Sequence, residues 1–262
     1  MKFIYKNKEI YFNICGKGKT LLFLHGFTES SEIWKYYSVF LSKYYSCMTI
    51  DLPGHGKSEA LNGEHSMEEM AEIVKNILDI NAITECILIG HSMGGYVALA
   101  FAEKYPELLK GLCLFHSSAL DDALEIKQNR DKTIEIVKNN KHAYLNQFIA
   151  DLFAPENRIK FQKEIAQLIQ IAGSMPTDGI INAIIGMKNR KNRSEILKNN
   201  NVPVLFIAGK KDTRVPLEKI IQQITLPIHS ESLILDNVAH MGYIEAKELT
   251  MKTIFYFAKK IY

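Results

Sequence analysis

Short runs of consecutive apolar residues recur along the chain, and most are followed by segments whose apolar positions repeat every three or four residues. The first pattern predicts strands buried on both faces of a sheet, and the second predicts amphipathic helices. The predicted strands cover residues 10–15, 20–24, 46–50, 85–89, 111–115, 202–208 and 232–235. The predicted helices cover residues 31–42, 67–81, 93–104, 217–224 and 243–260. Strands that alternate with helices indicate an α/β fold with a mostly parallel, doubly wound sheet.

The alternation is interrupted at residues 120–193, where helical patterns occur without a strand. Two turn-forming stretches, residues 154–157 and 175–179, divide this segment. Because the segment leaves the C-terminal end of one strand and returns before another, we expect it to lie over that edge of the sheet. The sequence therefore predicts an α/β core of residues 1–119 and 194–262 with a helical cap inserted between them. A solvent-facing packing extension is the alternative.

Composition and charge exclude several classes of function. The chain has 262 residues, 47% of them hydrophobic and 23% charged, as is ordinary for a globular protein. Its formal net charge of +3 does not favour nucleic acid as a partner. The N-terminal residues form no apolar leader, and no apolar run reaches the roughly 18 residues of a membrane span. We expect a soluble, cytoplasmic protein that is either a monomer or a homodimer.

The cysteines carry no metal-binding signature. All 4 are widely spaced, mostly in or beside apolar strands, and no Cys-x-x-Cys pair occurs. Buried free thiols are therefore favoured over disulfides or a zinc site, and no metal is expected.

The sequence Gly90-His91-Ser92-Met93-Gly94 follows an apolar strand and precedes a helix. A turn this tight leaves little space for side chains, which explains the flanking glycines Gly90 and Gly94. It exposes Ser92 at the end of the strand, above the positive end of the helix. Ser92 is thus the expected nucleophile.

A serine hydroxyl needs a base to remove its proton, and the base must itself be oriented. Among the 8 histidines, His240 follows the last predicted strand, at the sheet edge where such sites lie. Asp212 follows the preceding predicted strand and is the expected partner of the second ring nitrogen of His240. Asp121 and Asp122 are the competing carboxylates.

When a serine attacks a carbonyl group, the carbonyl oxygen becomes an oxyanion, which amide N–H groups stabilise; two such donors are expected here. The N–H group of Met93 is one, because it opens the helix after Ser92. The second is expected from Phe27, because the preceding Gly26 lets the backbone approach the site.

A substrate pocket is expected beneath the cap. Apolar cap residues, among them Phe153 and Met187, predict a pocket for a small or medium hydrophobic group, with packing of the cap against the sheet as the alternative. His116 ends the strand at 111–115 and is either a substrate hydrogen-bonding residue or a packed strand-end histidine.

Several segments together carry a family resemblance. In chain order they are His25-Gly26-Phe27, Asp51-Leu52-Pro53-Gly54-His55-Gly56-Lys57-Ser58, Gly90-His91-Ser92-Met93-Gly94-Gly95, Gly209-Lys210-Lys211-Asp212 and Ala239-His240. With these segments the chain resembles the α/β-hydrolase superfamily, in its serine-nucleophile branch, over nearly its whole length outside the cap. The resemblance implies a triad of Ser92, Asp212 and His240 and a hydrolase that needs no cofactor.

The short helical cap resembles that of small carboxylesterases, enol-lactonases and the menaquinone-pathway synthase. The predicted function is a serine hydrolase that cleaves a small-to-medium, largely apolar carboxylic ester through an acyl-enzyme. The alternative is an enol-lactonase, or a C–C or elimination lyase, with the same triad. In the lyase Arg190 and Arg193 would bind a carboxylate of the substrate; the other interpretation of these arginines is that they only tie the cap to the core. A non-catalytic ligand receptor is disfavoured, because all three members of the triad are present.

Overall fold

A computed structural model describes residues 1–199 and 201–262. An eight-stranded sheet forms its centre, in the order β1-β2-β4-β3-β5-β6-β7-β8. The strands are β1 (Lys2–Tyr5), β2 (Lys8–Cys15), β3 (Thr20–Leu24), β4 (Ser46–Ile50), β5 (Cys86–His91), β6 (Leu109–Phe115), β7 (Val204–Gly209) and β8 (Ser230–Leu235). The pairs β1–β2 and β2–β4 are antiparallel, and from β4 to β8 each neighbouring pair is parallel. The predicted doubly wound α/β class is therefore confirmed.

Helices connect the parallel strands, and two more follow the last strand. They are α1 (Lys35–Leu41), α2 (Met67–Ile80), α3 (Met93–Lys104), α4 (Leu124–Ala150), α5 (Gln162–Ser174), α6 (Thr177–Asn189), α7 (Ser194–Asn199), α8 (Leu217–Ile224), α9 (Gly242–Glu245) and α10 (Lys247–Ile261). Two predicted helices are each divided: a 3-10 turn at Ser31–Trp34 precedes α1, and Ala246 separates α9 from α10. The first strand, β1, was not predicted.

The strands with the longest apolar runs lie in the centre of the sheet, where both of their faces are buried. Every residue of β3, β5 and β7 is buried, as expected for parallel strands covered by helices on both faces. Because these strands are parallel, their carboxyl ends lie along one edge of the sheet. The loops that follow β3, β5, β6, β7 and β8 therefore start at the same edge, which is where an open α/β sheet holds its site.

The segment 120–193 forms a helical insertion between β6 and β7. It contains α4, which is interrupted by non-helical backbone at Asn140, followed by α5 and α6. Its two ends are joined where the amide of Arg193 donates to the carbonyl of Ala119 at 2.7 Å. Gly179, near the start of α6, packs closely against Gly54 in the loop after β4. A Cβ atom at position 54 would lie only 2.7 Å from the Cα atom of Gly179, so the insertion rests directly on this loop.

The cysteines are free thiols, and three of them are buried, as the spacing predicted. Burial raises the pKa of Cys47 and of Cys86 to about 12. In the described residues no single helix has the length and apolar character of a membrane span, although α5 and α6, which meet at 100°, pass that test as a pair.

Candidate active site

The turn between β5 and α3 holds Ser92 in a backbone conformation that L-residues rarely adopt, with φ of +49° and ψ of −115°. The neighbouring glycines make this turn possible. A side-chain carbon at Gly90 would lie 2.4 Å from the carbonyl oxygen of Gly94, and one at Gly94 would lie 2.5 Å from that of Leu24. The strand and the helix can therefore approach closely, and the Ser92 hydroxyl faces the cavity at the sheet edge.

Three side chains from different loops form one hydrogen-bonded chain. The Oγ atom of Ser92 lies 2.9 Å from Nε2 of His240, and Nδ1 of His240 lies 2.8 Å from Oδ2 of Asp212. The tight turn between β5 and α3 (the elbow, residues 90–94) contributes Ser92, the turn after β7 contributes Asp212 and the loop after β8 contributes His240. This is the geometry of a nucleophile, a base and the group that orients the base.

Both oxygens of the Asp212 carboxylate lie against hydrogen-bond donors, which favour its charged form. Its Oδ1 atom accepts hydrogen bonds from the amides of Arg214 and Val215 at 2.8 and 2.9 Å. Burial opposes ionisation of Asp212, but the neighbouring rings of His240 and His116 outweigh it and hold the pKa of this carboxyl well below its usual range. Asp212 is therefore charged at neutral pH and can accept a hydrogen bond from each ring that faces it.

The amides of Phe27 and Met93 have no hydrogen-bond acceptor within residues 1–199 and 201–262. Met93 is the first residue of α3, so its N–H group lies at the positive end of the helix. Phe27 follows β3 and lines the same cavity as Ser92. Both amides are thus free to donate to a substrate oxygen.

A buried ion pair, which the sequence did not predict, lies behind these loops. The Nδ1 atom of His91 is 2.9 Å from Oε2 of Glu29, and both side chains are almost fully buried. The same carboxylate accepts from the amide of Gly26 at 2.6 Å and from the hydroxyl of Tyr243 at 3.0 Å. Nothing in the sequence around Glu29 signals this pairing, because His91 at the end of β5 and Tyr243 on α9 are far from it along the chain.

The charges of this pair stabilise each other. Burial disfavours the charged forms of both residues, but the mutual attraction outweighs it, raising the pKa of His91 and lowering the pKa of Glu29. The second ring nitrogen of His91 lies 3.0 Å from the carbonyl oxygen of His240. Both nitrogens of His91 therefore face acceptors, as an imidazolium requires.

The cavity above Ser92 has a volume of about 320 Å³ and is enclosed by the sheet edge and the helical insertion. Met187 lines it, as predicted, together with Phe148. His116 and Phe153 were also predicted as pocket residues, but neither lines the cavity. Phe153 is buried and packs against Phe161, with ring centroids 6.2 Å apart. His116 is also buried, and its Nδ1 atom contacts the carboxylate of Asp212.

The arginines expected to bind a substrate carboxylate already have partners in the protein. Arg190 pairs with Asp122 at 2.7 Å and lies over the ring of Tyr96. Arg130 also pairs with Asp122, so that two guanidinium groups share one carboxylate on the cavity wall. Arg193 is buried away from the cavity, where it pairs with Glu68 on α2 and Glu103 on α3 at 2.6 and 2.9 Å.

Within the described residues one group of side chains has donor atoms close enough to hold a metal, namely His116, Asp212 and His240, all within 4.8 Å of one another. The two Nδ1–Oδ2 distances in this group, 2.8 and 3.1 Å, are those of hydrogen bonds. The side chains that could bind a metal are therefore the same ones that form hydrogen bonds around Asp212.

Comparison with known proteins agrees with this architecture. A family model for the alpha/beta hydrolase fold matches residues 19–247, and the chain belongs to this family. It is 30% identical to a pimeloyl-[acyl-carrier protein] methyl ester esterase of Wigglesworthia glossinidia brevipalpis, over 97% of this chain and 99% of the relative. The protein of that name from Yersinia enterocolitica is 26% identical, over 97% and 98%.

A solved structure of a thermophilic esterase from Thermogutta terrifontis superimposes with a TM-score of 0.92 and 28% identity, over 97% of this chain and 94% of the other. Within its family the protein is a carboxylesterase-like hydrolase.

Proposed function

We propose that the protein is a serine carboxylesterase in which Ser92 is the nucleophile, His240 the general base and Asp212 the group that orients it. The observation that carries this proposal is the unbroken chain from Ser92 Oγ to His240 Nε2 at 2.9 Å and from His240 Nδ1 to Asp212 Oδ2 at 2.8 Å. A neutral His240 with its proton on Nδ1 has a lone pair on Nε2, directed at the serine hydroxyl.

The reaction has two steps. His240 takes the proton of Ser92 as its Oγ atom bonds to the ester carbonyl carbon, and the amides of Phe27 and Met93 stabilise the resulting oxyanion. The tetrahedral intermediate collapses, the carbon–oxygen bond to the alcohol breaks, and His240 protonates the departing alkoxide. Water, deprotonated by His240, then attacks the acyl-enzyme, which releases the acid and restores the serine proton.

The cavity and the relatives together support a substrate class. A cavity of about 320 Å³ with Phe27, Phe148 and Met187 in its wall suits a small or medium apolar group next to the ester. The curated relatives are named for the methyl ester of a pimeloyl group on acyl-carrier protein, and their similarity extends over nearly the whole of both chains. We therefore propose methyl esters of medium-length acyl chains as the substrates, including chains carried by that protein.

The lyase alternative has less support. It requires Arg190 and Arg193 to bind a carboxylate of the substrate, yet each is ion-paired with carboxylates of the protein.

A fluorophosphonate probe and a panel of esters test the proposal. We expect the probe to label Ser92 in the wild type, and Ser92→Ala to lose both labelling and ester hydrolysis without loss of fold. The matched control is Ser174→Ala, because Ser174 is an exposed serine on α5 that does not line the cavity. Hydrolysis of p-nitrophenyl esters and of a methyl pimeloyl thioester of acyl-carrier protein measures the substrate range. Wild-type turnover by Ser92→Ala would overturn the assignment.

A further inference from the structure

A second histidine faces the carboxylate that orients His240. The Nδ1 atom of His116 lies 3.1 Å from Oδ2 of Asp212, the same oxygen that His240 contacts at 2.8 Å. His116 is fully buried and does not line the cavity, so it contacts neither solvent nor substrate. The proposed acyl transfer uses only one of these two histidines.

The protein holds the ring of His116 in place from several directions. His116 directly follows β6 with φ of +47°, a left-handed conformation, and its amide donates to the carbonyl of Ile207 on β7 at 2.8 Å. Its ring stacks on Phe115 with centroids 5.3 Å apart. The far side of the ring lies against Gly242, where a side-chain carbon would approach Nε2 to 2.3 Å. Gly242 thus leaves the space that the ring occupies.

These contacts also fix the protonation state of His116. Its Nε2 atom is buried and has no hydrogen-bond partner among residues 1–199 and 201–262. A proton there would be a buried donor without an acceptor, which is costly. Burial lowers the pKa of His116 to about 4, so the ring is neutral in the working range of an esterase. Its single proton is therefore on Nδ1 and is donated to Asp212.

We propose that His116 is a positioning residue that donates a second hydrogen bond to Oδ2 of Asp212 and thereby limits how strongly this carboxylate favours the protonated form of His240. The proposal rests on the function proposed above, in which His240 must be unprotonated to act on Ser92. With the amides of Arg214 and Val215 on Oδ1, the Nδ1 donor of His116 completes the hydrogen bonding of the carboxylate.

The pH dependence of activity follows from this arrangement. Other ionisable groups packed against the two rings are His91, whose ring centroid lies 5.1 Å from that of His240, and its partners Glu29 and Tyr243. None of these donates to Asp212, so removing His116 leaves the ring of His240 as the one side-chain donor to Oδ2 among the described residues. More of the negative charge then acts on His240 and favours its protonated form. The acidic limb of activity should therefore move to higher pH.

A matched pair of variants separates this effect from a packing defect. His116→Asn keeps an amide N–H close to the position of Nδ1, and asparagine tolerates the left-handed backbone. His116→Leu has nearly the shape of asparagine but no donor. If the leucine variant does not fold, His116→Gly replaces it, since glycine adopts this backbone conformation without strain. Thermal unfolding measures the structural effect of each change.

The decisive readout is kcat/KM for one p-nitrophenyl ester from pH 5 to 9. We expect the acidic limb of His116→Leu to lie roughly 0.5–1 pH unit above that of the wild type, and that of His116→Asn to coincide with the wild type. Identical limbs in all variants, whatever their melting temperatures, would overturn the proposal. The ring nitrogens can also be followed by NMR with 15N-labelled histidine, where a proton on Nε2 of His116 instead of Nδ1 would overturn it independently.

Labelling of Ser92 by a fluorophosphonate keeps the two proposals apart. Each variant is first shown to react with the probe. If the wild type does not react, the proposed esterase mechanism fails. If the variants react and only the pH profiles coincide, the role of His116 fails and the esterase mechanism stands.

Discussion

Nε2 of His91 lies 3.0 Å from the carbonyl oxygen of His240, so the residue before the elbow serine holds the backbone of the proposed base. The other nitrogen of the same ring contacts Glu29, which in turn holds the amide of Gly26 in the loop of the proposed oxyanion donor Phe27. One buried ion pair therefore joins the loops that follow β3, β5 and β8.

Glu29→Gln should destabilise the protein and slow turnover together. The substitution leaves His91 buried without a counter-charge, and breaking a buried pair in this way costs about 3 kcal/mol. We expect a lower free energy of unfolding in urea and a lower kcat, because the loops that carry Phe27 and His240 lose their common support. Glu32→Gln is the matched control, since Glu32 is an exposed acid of the same segment. Equal stability of Glu29→Gln and wild type would contradict the ion pair.

The stability difference between wild type and Glu29→Gln should also depend on pH. The pKa of Glu29 is lowered from 4.5, so its contribution is present above that value and is lost as the pH falls further. The pKa of His91 is raised from 6.5, so its contribution is present below that value and is lost as the pH rises through the raised pKa. Urea unfolding should therefore show the largest difference between pH 4.5 and 6.5 and a smaller one on either side.

Asp212→Asn should reduce kcat on the order of 10⁴-fold with little loss of fold. An amide at this position donates to Nδ1 of His240 and moves the ring proton to Nε2, where it blocks proton transfer from Ser92. Steady-state hydrolysis of a p-nitrophenyl ester measures the loss. Asp236→Asn provides the comparison, because Asp236 is an exposed strand-end acid that pairs with Lys210.

Asp122→Asn should act on stability and leave the proposed proton transfer intact. Asp122 balances Arg130 and Arg190: burial alone would raise the pKa of Asp122, but those guanidinium groups outweigh burial and keep it below its usual value. Loss of its charge should lower the free energy of unfolding by about 2 kcal/mol. The shape of the kcat–pH profile should not change. A 10⁴-fold loss of kcat here, with normal turnover by Asp212→Asn, would mean that Asp122 is the orienting acid.

Phe148→Ala should extend the range of acyl chains that are hydrolysed. The ring of Phe148 lies 5.6 Å from that of Phe27 and forms part of the cavity wall. Its removal enlarges the cavity next to the ester, so the optimum of kcat/KM across a series of p-nitrophenyl esters should move to longer chains. Phe161→Ala is the control, because Phe161 lies in the insertion without lining the cavity. An unchanged optimum would show that the acyl chain lies elsewhere.

The sequence was most informative where a residue's position follows from the end of a strand. Ser92, Asp212 and His240 each follow a strand that the apolar pattern predicts, and parallel strands bring their carboxyl ends to one edge. The short strand β1 was missed because it is half exposed and pairs at the antiparallel edge, where no long apolar run is needed.

Side-chain partnerships between loops were the part that the sequence did not determine. The sequence left His116 as either a substrate hydrogen-bonding residue or a packed strand-end histidine, and its left-handed backbone places Nδ1 against Asp212. Phe153 was expected in the pocket for its apolar character, which equally suits packing against Phe161. No role was predicted for Glu29, because whether a carboxylate is buried and ion-paired depends on residues that are distant in the sequence and meet only in the folded chain.

The helical insertion begins and ends at one place, where the amide of Arg193 meets the carbonyl of Ala119. About half of the residues that line the cavity thus come from a single uninterrupted stretch of chain, whereas none of the proposed reacting groups does. Grafting residues 120–193 from another family member is a one-piece exchange that would transfer ester preference without rebuilding the chemistry. Such a graft must keep one backbone hydrogen bond, in which the amide of His240 donates to the carbonyl of Leu152 at 2.9 Å. Through this bond the insertion holds the loop after β8, which carries the proposed base.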